Sequence, residues 1–395
     1  MTPLFKKFLG LHWLLIFTMY GLLTVGVFAI YSAGLLKDEP SIQNAYSRQL
    51  IFISLGTVVF FVTSLIDYRW VSWGGILVYL AGVGLSALAV FRGEDVYGKT
   101  WLHLGGITFQ PSQLAIAGGI IVTSLILGQM GRLHPILRNP FIKLGLVGLA
   151  CGIPFGVVLL QKDFGSAMVW IPVAAALLLV GNIPFRYMIT VALLGLMFIP
   201  WAYYFGLKPY QKERITVFMD MLSGKSVDTQ GSAYAASYIE KAVGSGGFNG
   251  KGRLNEKTIN NLGFIPKRTA IDDFIFAVWA EEMGFRGSMV LLGGFALMMI
   301  QGLFVAFHAR DVIGRLICAG VVGLLFAHVF QHVGMNLLIM PITGIPLPFI
   351  SSGGTFVVIC MFLCGMMQSV WVHRGNAATR IALAGDVPLF GATTV

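Results

Sequence analysis

A chain of 395 residues that is 56% apolar and only 11% charged, with 49 glycines and 30 phenylalanines, cannot dress a water-facing surface, for which about 25% charged residues is ordinary. The composition excludes a soluble enzyme and leaves a polytopic membrane protein. The net charge of +10 is spread along the chain and not gathered on a compact domain, so nucleic acid is not an expected partner.

A membrane-crossing helix needs about 20 apolar residues. Apolar runs lie near residues 11–33, 49–66, 71–91, 112–129, 142–160, 166–181, 185–205, 274–305, 314–339 and 353–372. They predict an all-α fold of about ten transmembrane helices in a single domain over residues 1–395. The alternating ten-residue segments of a transmembrane barrel are not evident. The first run follows Lys6 and Lys7 and is longer than a signal-peptide core, so it reads as a span that stays in place. If both termini are cytoplasmic, the inner segments hold Lys6, Lys7, Arg69, Arg132, Arg138, Lys143, Arg186, Arg310, Arg315, Arg374 and Arg380 against Asp67, Asp311 and Asp386. That basic bias is the one expected of a cytoplasmic side.

The seventh and eighth spans are separated by a long polar stretch, residues 206–272, which lies outside the cytoplasm in this topology. Loops of such length seldom lack a task. A short surface helix is expected around residues 208–214, and another over 234–243 with Tyr238 and Ala242 on one face. Next comes Gly244-Ser245-Gly246-Gly247-Phe248-Asn249-Gly250-Lys251-Gly252. Such a run is either a flexible turn or a backbone loop that brings N–H groups to an anion. It has no Gly-Lys-Ser/Thr ending, which speaks against a nucleotide. Cys151, Cys318, Cys360 and Cys364 all sit in apolar runs and read as small buried hydrophobes.

Several polar groups stand where a bilayer makes them expensive, at about 2.5–3.5 kcal/mol for an acid at mid-membrane. Asp163 occupies the short link between the fifth and sixth spans. Asp272 and Asp273 directly precede Phe274, and Glu281 and Glu282 follow within the same helix. Asp273 could cap that helix, but the cluster exceeds what a cap requires. Lys251, Arg253, Lys257, Lys267, Arg268 and Arg286 lie near the same mouth. Carboxylates beside cations suit a substrate that carries both phosphates and a hydroxyl to be deprotonated. In the ninth span His328, His332 and Asn336 recur every four residues, beside Gln331. This polar stripe is better suited to interhelical hydrogen bonds than to a metal, because no HExxH acid or further ligand is in register. Pro341 to Phe349, with Pro346 and Pro348, breaks any helix, and Ser351-Ser352-Gly353-Gly354-Thr355 restarts one. The proline segment is expected to wall an outer cavity.

Five stretches together carry a family resemblance: Phe109-Gln110-Pro111-Ser112; Gln161 with Asp163 and Gly165; Gly244-Ser245-Gly246-Gly247; Asp273-Phe274-Ile275-Phe276-Ala277 with Glu281-Glu282 and Gly284; and Thr343-Gly344-Ile345-Pro346-Leu347-Pro348-Phe349 with the serines and glycines that follow. In this order they resemble the SEDS family of RodA, FtsW and SpoVE proteins, membrane-embedded peptidoglycan glycosyltransferases. The likeness runs from the first span to about Gln368, and the stretch near Tyr210 is more similar to the RodA branch.

The resemblance implies polymerisation of lipid II into glycan strands at the bacterial cytoplasmic (inner) membrane, with release of undecaprenyl diphosphate, in cell elongation and shape maintenance. It implies Asp273 as the catalytic carboxylate. Asp163, Lys251, Lys267, Arg268, Glu281, Ser351 and Ser352 are expected to meet substrate, and Gly244, Gly246, Gly247, Pro346 and Pro348 to shape the loop and walls. Expected partners are a class B penicillin-binding transpeptidase, elongation-complex membrane proteins and membrane lipids. No cofactor is required by the pattern, although a divalent cation, Mg2+ or Mn2+, would help neutralise the diphosphate. The chain departs from the family at Gln113 and Ile116, where an acid and a lysine are usual, at Lys162 for a proline, in Pro266-Lys267-Arg268-Thr269-Ala270-Ile271-Asp272-Asp273, which has two extra positions, and at Ser351-Ser352. Two other functions fit the same spans: a scaffold that activates the transpeptidase, and a transporter of lipid-linked precursors.

Overall fold

In a bilayer, an apolar run can satisfy its own N–H and C=O groups by coiling into a helix, and each predicted run does so. The computed structural model describes residues 3–92 except 36 and 38, 100–201 except 105 and 106, isolated residues between 204 and 223, and 232–374. Its helices are α1 (Pro3–Leu9), α2 (Trp13–Leu35), α3 (Pro40–Gln43), α4 (Ala45–Leu65), α5 (Tyr68–Arg92), α6 (Pro111–Leu133), α7 (Pro140–Leu160), α8 (Phe164–Val180), α9 (Phe185–Trp201), α10 (Ser232–Gly246), α11 (Lys267–Ile271), α12 (Ile275–Phe307), α13 (Val312–Asn336) and α14 (Gly354–Val372). Among the described residues, eight apolar helical segments are long enough to cross a membrane, and α8 and α9 are shorter apolar helices. The chain is a multi-pass membrane protein.

Two features depart from the sequence reading. A small antiparallel hairpin, β1 (Leu102–Leu104) with β2 (Ile107–Phe109), pairs Leu102 with Phe109. Three-residue strands are too short for a period-2 pattern to register. The span expected as one helix over 274–305 is interrupted at Gly284, whose φ of 66° and ψ of −165° are not helical. The predicted helix over 234–243 exists as α10 and runs on through Gly244 and Gly246. The one expected near residues 208–214 falls mostly outside the described residues.

α13 runs through the centre, buried along most of its length and packed against α6, α8, α12 and α14. Small residues let neighbouring helices close up. On α5 and α6, a Cβ at Gly82 would strike the Ala115 backbone, and one at Gly118 would strike that of Tyr79. α9 packs lightly, against α8 and, through Tyr187 edge-on to Phe141, against α7, and leaves Phe185, Leu193, Leu194, Leu196 and Met197 exposed, as lipid-facing residues should be.

Polar links gather at the two ends of the bundle. At one end, the α4–α5 turn meets the start of α13. Asp311 Oδ1 accepts from Gly314 N (2.9 Å) and Tyr68 Oη (2.8 Å), and its Oδ2 accepts from Arg69 Nη2 (2.6 Å) and Nε (3.0 Å). Lys7 Nζ and Ser369 Oγ donate to the Leu65 and Ile66 carbonyls that end α4. Burial opposes the charged form of Asp311, but the Gly314 N–H, the Tyr68 hydroxyl and the Arg69 guanidinium outweigh it and hold this carboxyl below its ordinary range. The folded protein therefore binds that proton less tightly than the unfolded chain. Its contribution is complete above the ordinary carboxylate pKa of about 3.9 and is lost as pH falls through the lower folded value. Asp311→Ala should cost about 1–3 kcal/mol at pH 7. The melting-temperature gap from wild type should then narrow as the solution is acidified below about pH 4.

Candidate active site

At the opposite end, the links that follow α2, α5, α7 and α13 and the loop before α12 converge. α8 begins in a turn with Lys162 at φ 68°, and Asp163 is its N-cap. Asp163 Oδ1 accepts from Ser166 N (2.9 Å), and Oδ2 accepts from Gln110 Nε2 (2.8 Å). Gln110 Oε1 in turn accepts from Gln113 Nε2 (2.8 Å). Two amides in series thus present an N–H to the carboxylate. A glutamate at 113 has no N–H to donate and would compete with Asp163 for the Gln110 amide. Gln113→Glu should lower stability by about 1–3 kcal/mol, read as a drop in melting temperature. Adding Ile116→Lys, one turn away, should recover part of the loss.

The segment between α13 and α14 crosses this end. His328 and His332 each use Nδ1 to bond a carbonyl, that of Pro346 (3.0 Å) and Ile345 (2.7 Å) respectively. The two histidines therefore pin the proline-rich wall and not a neighbouring helix, whereas Asn336 accepts the interhelical bond expected of the stripe, from Ala277 N of α12. On one side the wall presses on α8, where a Cβ at Gly165 would crowd the Thr343 carbonyl and the Ile345 side chain. On the other side Gly344, at φ 69°, faces the Asp273 carboxylate, whose Oδ2 would lie 3.5 Å from a Cβ placed there. Asp163 and Asp273 thus stand at stretches that flank one short segment.

The backbone around Asp273 is pinned from three elements. Asn336 Nδ2 donates to the Asp273 carbonyl (3.1 Å), while its Oδ1 accepts from Ala277 N (3.2 Å). Ser351 Oγ donates to the Asp272 carbonyl (2.6 Å) and accepts from Leu347 N (2.8 Å), and Ser352 N donates to the Ile271 carbonyl (3.0 Å). Gln49 Nε2 holds the Ser351 carbonyl (3.3 Å). The expected capping role of Asp273 is not the arrangement found. Phe274 is the N-cap residue of α12 and makes no side-chain cap, and Asn336 takes the Ala277 N–H in its place. Phe274 through Glu282 are all buried, whereas Asp272 and Asp273 are half-buried.

Cations stand alongside. Arg268 Nε lies 3.7 Å from Asp272 Oδ2, Lys267 Nζ lies 3.7 Å from Glu39 Oε1, and both basic side chains remain well exposed. Burial, and next the Asp273 carboxylate, push the Asp272 pKa up to about 7, against the pull of Arg268 and Arg48. Arg48 is the site cation that the sequence reading missed. It stands at the start of an apolar span, where a basic residue looks like an ordinary flank.

The remaining predicted residues form a neighbouring cluster. Lys251 Nζ meets Glu281 Oε1 at 2.6 Å, and that oxygen also accepts from Ile259 N (2.8 Å) and Ser245 Oγ (3.3 Å). In this structure Lys251 and Glu281 are partners of each other. The glycine run is neither a loose turn nor an anion cradle. Gly244 and Gly246 close α10, Gly247 turns at φ 56°, and the N–H groups of Lys251 and Gly252 donate to the carbonyls of Glu281 and Glu282.

The chain matches the model of a family described as "Cell cycle protein" (FTSW_RODA_SPOVE) over residues 12–376. It is 32% identical to the peptidoglycan glycosyltransferase MrdB of Escherichia coli K12, over 83% of this chain and 85% of that one. It is 27% identical to the peptidoglycan glycosyltransferase RodA of Treponema pallidum, over 91% and 96%. Among solved structures, a chain from work on the coordination of polymerization and crosslinking by a peptidoglycan synthase complex superposes with a TM-score of 0.75 at 25% identity, covering 92% of this chain and 98% of that one. The rod shape-determining protein RodA of Thermus thermophilus has the same fold, with a TM-score of 0.62 at 23% identity, covering 92% and 97%.

Proposed function

The chain belongs to the FtsW/RodA/SpoVE family, and on that footing we propose that it is a peptidoglycan glycosyltransferase whose chemistry is centred on Asp273. The substrate is lipid II. The Asp273 carboxylate accepts the proton of the acceptor sugar's 4-hydroxyl as that oxygen attacks the anomeric carbon of the donor. The donor's bond to its diphosphate oxygen breaks, and undecaprenyl diphosphate leaves with the bonding pair. Lys267, Arg268 and Arg48 supply positive charge near the departing diphosphate. Among the described residues no group of three or more His, Cys, Asp or Glu stands together as a metal cage; a divalent cation would be held by the diphosphate with one or two carboxylates.

The observation that carries this reading is the placement of Asp273. Its main chain is held by Asn336, and its carboxylate faces the Gly344 turn, next to Asp272 and the exposed Arg268 and Arg48 that act on Asp272. The site end is the outer one, both termini are cytoplasmic, and the membrane is the bacterial inner membrane. The partner is a class B penicillin-binding transpeptidase, an assignment supported by likeness to a chain from a peptidoglycan synthase complex. The function is cell elongation and shape maintenance. Asp163 and Ser351 bound the site, and Ser352 lies beside it in the segment that leads into α14.

A scaffold that merely activates the transpeptidase would be favoured by a broken site at Gln113 and Ile116. Gln113 is instead built into the amide chain that reaches Asp163, which supports the enzyme. A transporter is tested directly in sealed liposomes that carry labelled lipid II. The expected result is glycan polymer without an ion gradient and without a change in the leaflet distribution of unreacted lipid II. Translocation without polymer would overturn the assignment.

A further inference from the structure

We propose that Glu281 is a positioning residue for Asp273: through the loop of residues 245–260 it holds the short helical stub at whose start Asp273 sits. The inference rests on the role of Asp273 proposed above.

In an unbroken α12, the N–H groups of Phe285 and Arg286 would bond the carbonyls of Glu281 and Glu282. The conformation of Gly284 removes both bonds, and buried backbone groups cannot be left unpaired without cost. The loop meets all four. Lys251 N donates to the Glu281 carbonyl (2.9 Å) and Gly252 N to that of Glu282 (3.0 Å). Phe285 N donates to the Gly247 carbonyl (2.9 Å) and Arg286 N to that of Phe248 (3.2 Å). The loop is a splint across a broken helix. Residues 275–283 therefore form a stub that meets the rest of α12 through Gly284 and the splint.

The two ends of the stub are held differently. Asn336 grips its start, at the Asp273 carbonyl and the Ala277 N–H. At its far end the fully buried Glu281 collects three donors with one oxygen: Ser245 Oγ, Lys251 Nζ and Ile259 N. These donors come from both sides of the splint, so one carboxylate draws the loop closed. Next to it, Glu282 Oε1 accepts from Ser32 Oγ of α2 (2.6 Å), and Asn260 Nδ2 donates to the Ala33 carbonyl (3.1 Å). The splint is thereby referenced to α2. Asp273 lies eight residues, about two helical turns, from Glu281. Slack at the splint becomes a tilt of the stub and a displacement of the Asp273 carboxylate.

A displacement of about 1 Å can cost about 10²-fold in rate. Glu281→Ala should therefore lower kcat for glycan formation by about 10–100-fold while KM for lipid II stays within about twofold. Glu281→Gln keeps an acceptor oxygen at the same place and should return kcat to within about threefold of wild type. An unchanged kcat in the alanine variant would overturn the proposal, as would a loss confined to KM. A glutamine variant as inactive as alanine would also overturn it, by making the charge itself essential. If Glu281→Ala does not fold, Lys251→Met removes one of the three tethers and is read in the same way: a several-fold fall in kcat at constant KM, with unchanged kcat overturning the inference. Asp273→Asn is assayed beside them. Activity in that variant would overturn both proposals, whereas its inactivity beside a wild-type-like Glu281→Ala overturns this one alone.

Discussion

Asp273→Asn should stop glycan formation, with kcat lowered by about 10²–10⁴-fold, the range for losing a general base. The substitution keeps the size of the side chain and its capacity to hydrogen-bond, but removes the carboxylate proposed to take the proton. Folding should survive, because the contacts that Asn336 makes here are to the Asp273 carbonyl and the Ala277 N–H. The melting temperature in detergent should accordingly remain within a few degrees of wild type, and the variant should still bind lipid II. A fall in activity matched by a fall in folded protein would point to packing and not to chemistry.

Gly284→Ala should be the most damaging single change to the fold. A φ of 66° with a ψ of −165° lies in a region that is essentially open to glycine alone, and strain there costs about 1–3 kcal/mol. The space is closed as well: a Cβ at Gly284 would run into the backbone of Gly250 and Asn249. Gly250 is equally confined, with φ at 80° and the Glu282 carbonyl where its own Cβ would stand. An alanine must therefore push the splint away and weaken four backbone hydrogen bonds, each worth about 0.5–1.5 kcal/mol. The sum approaches the whole stability of an ordinary domain, about 5–15 kcal/mol. Gly284→Ala should give little monodisperse protein in detergent, or protein that melts far below wild type. Gly293→Ala, in the same helix and with nothing near the added methyl, should behave as wild type.

Much of the bundle was legible because a bilayer admits few solutions: an apolar run long enough to span is a helix, and the runs were visible by length and hydropathy. The convergence of Asp163, Asp273 and the Thr343–Ile345 turn could be suspected from polar residues in apolar company. Their order as motifs strengthened that suspicion. The roles of Glu281, Lys251 and the glycine run were not legible. Hydropathy sees 274–305 as one span, and nothing in the residue types says that the helix opens at Gly284 or that the glycine run is cut to fill the gap. An acid and a lysine thirty positions apart look like two substrate groups until the structure places them 2.6 Å apart. Arg48 escaped for a related reason, since its nearness to Asp272 depends on how α4 stands against α11. Backbone pairing between distant segments leaves almost no compositional trace.

The most direct test of the central claim is lipid II turnover by the purified wild-type chain in liposomes, with the proposed transpeptidase partner present and the products resolved by size. The account predicts glycan strands, with undecaprenyl diphosphate released in proportion to the bonds formed, and neither product from Asp273→Asn. Folded, partner-bound wild type that consumes no lipid II would contradict it and leave a scaffold. Strands made equally well by Asp273→Asn would place the chemistry elsewhere in the bundle.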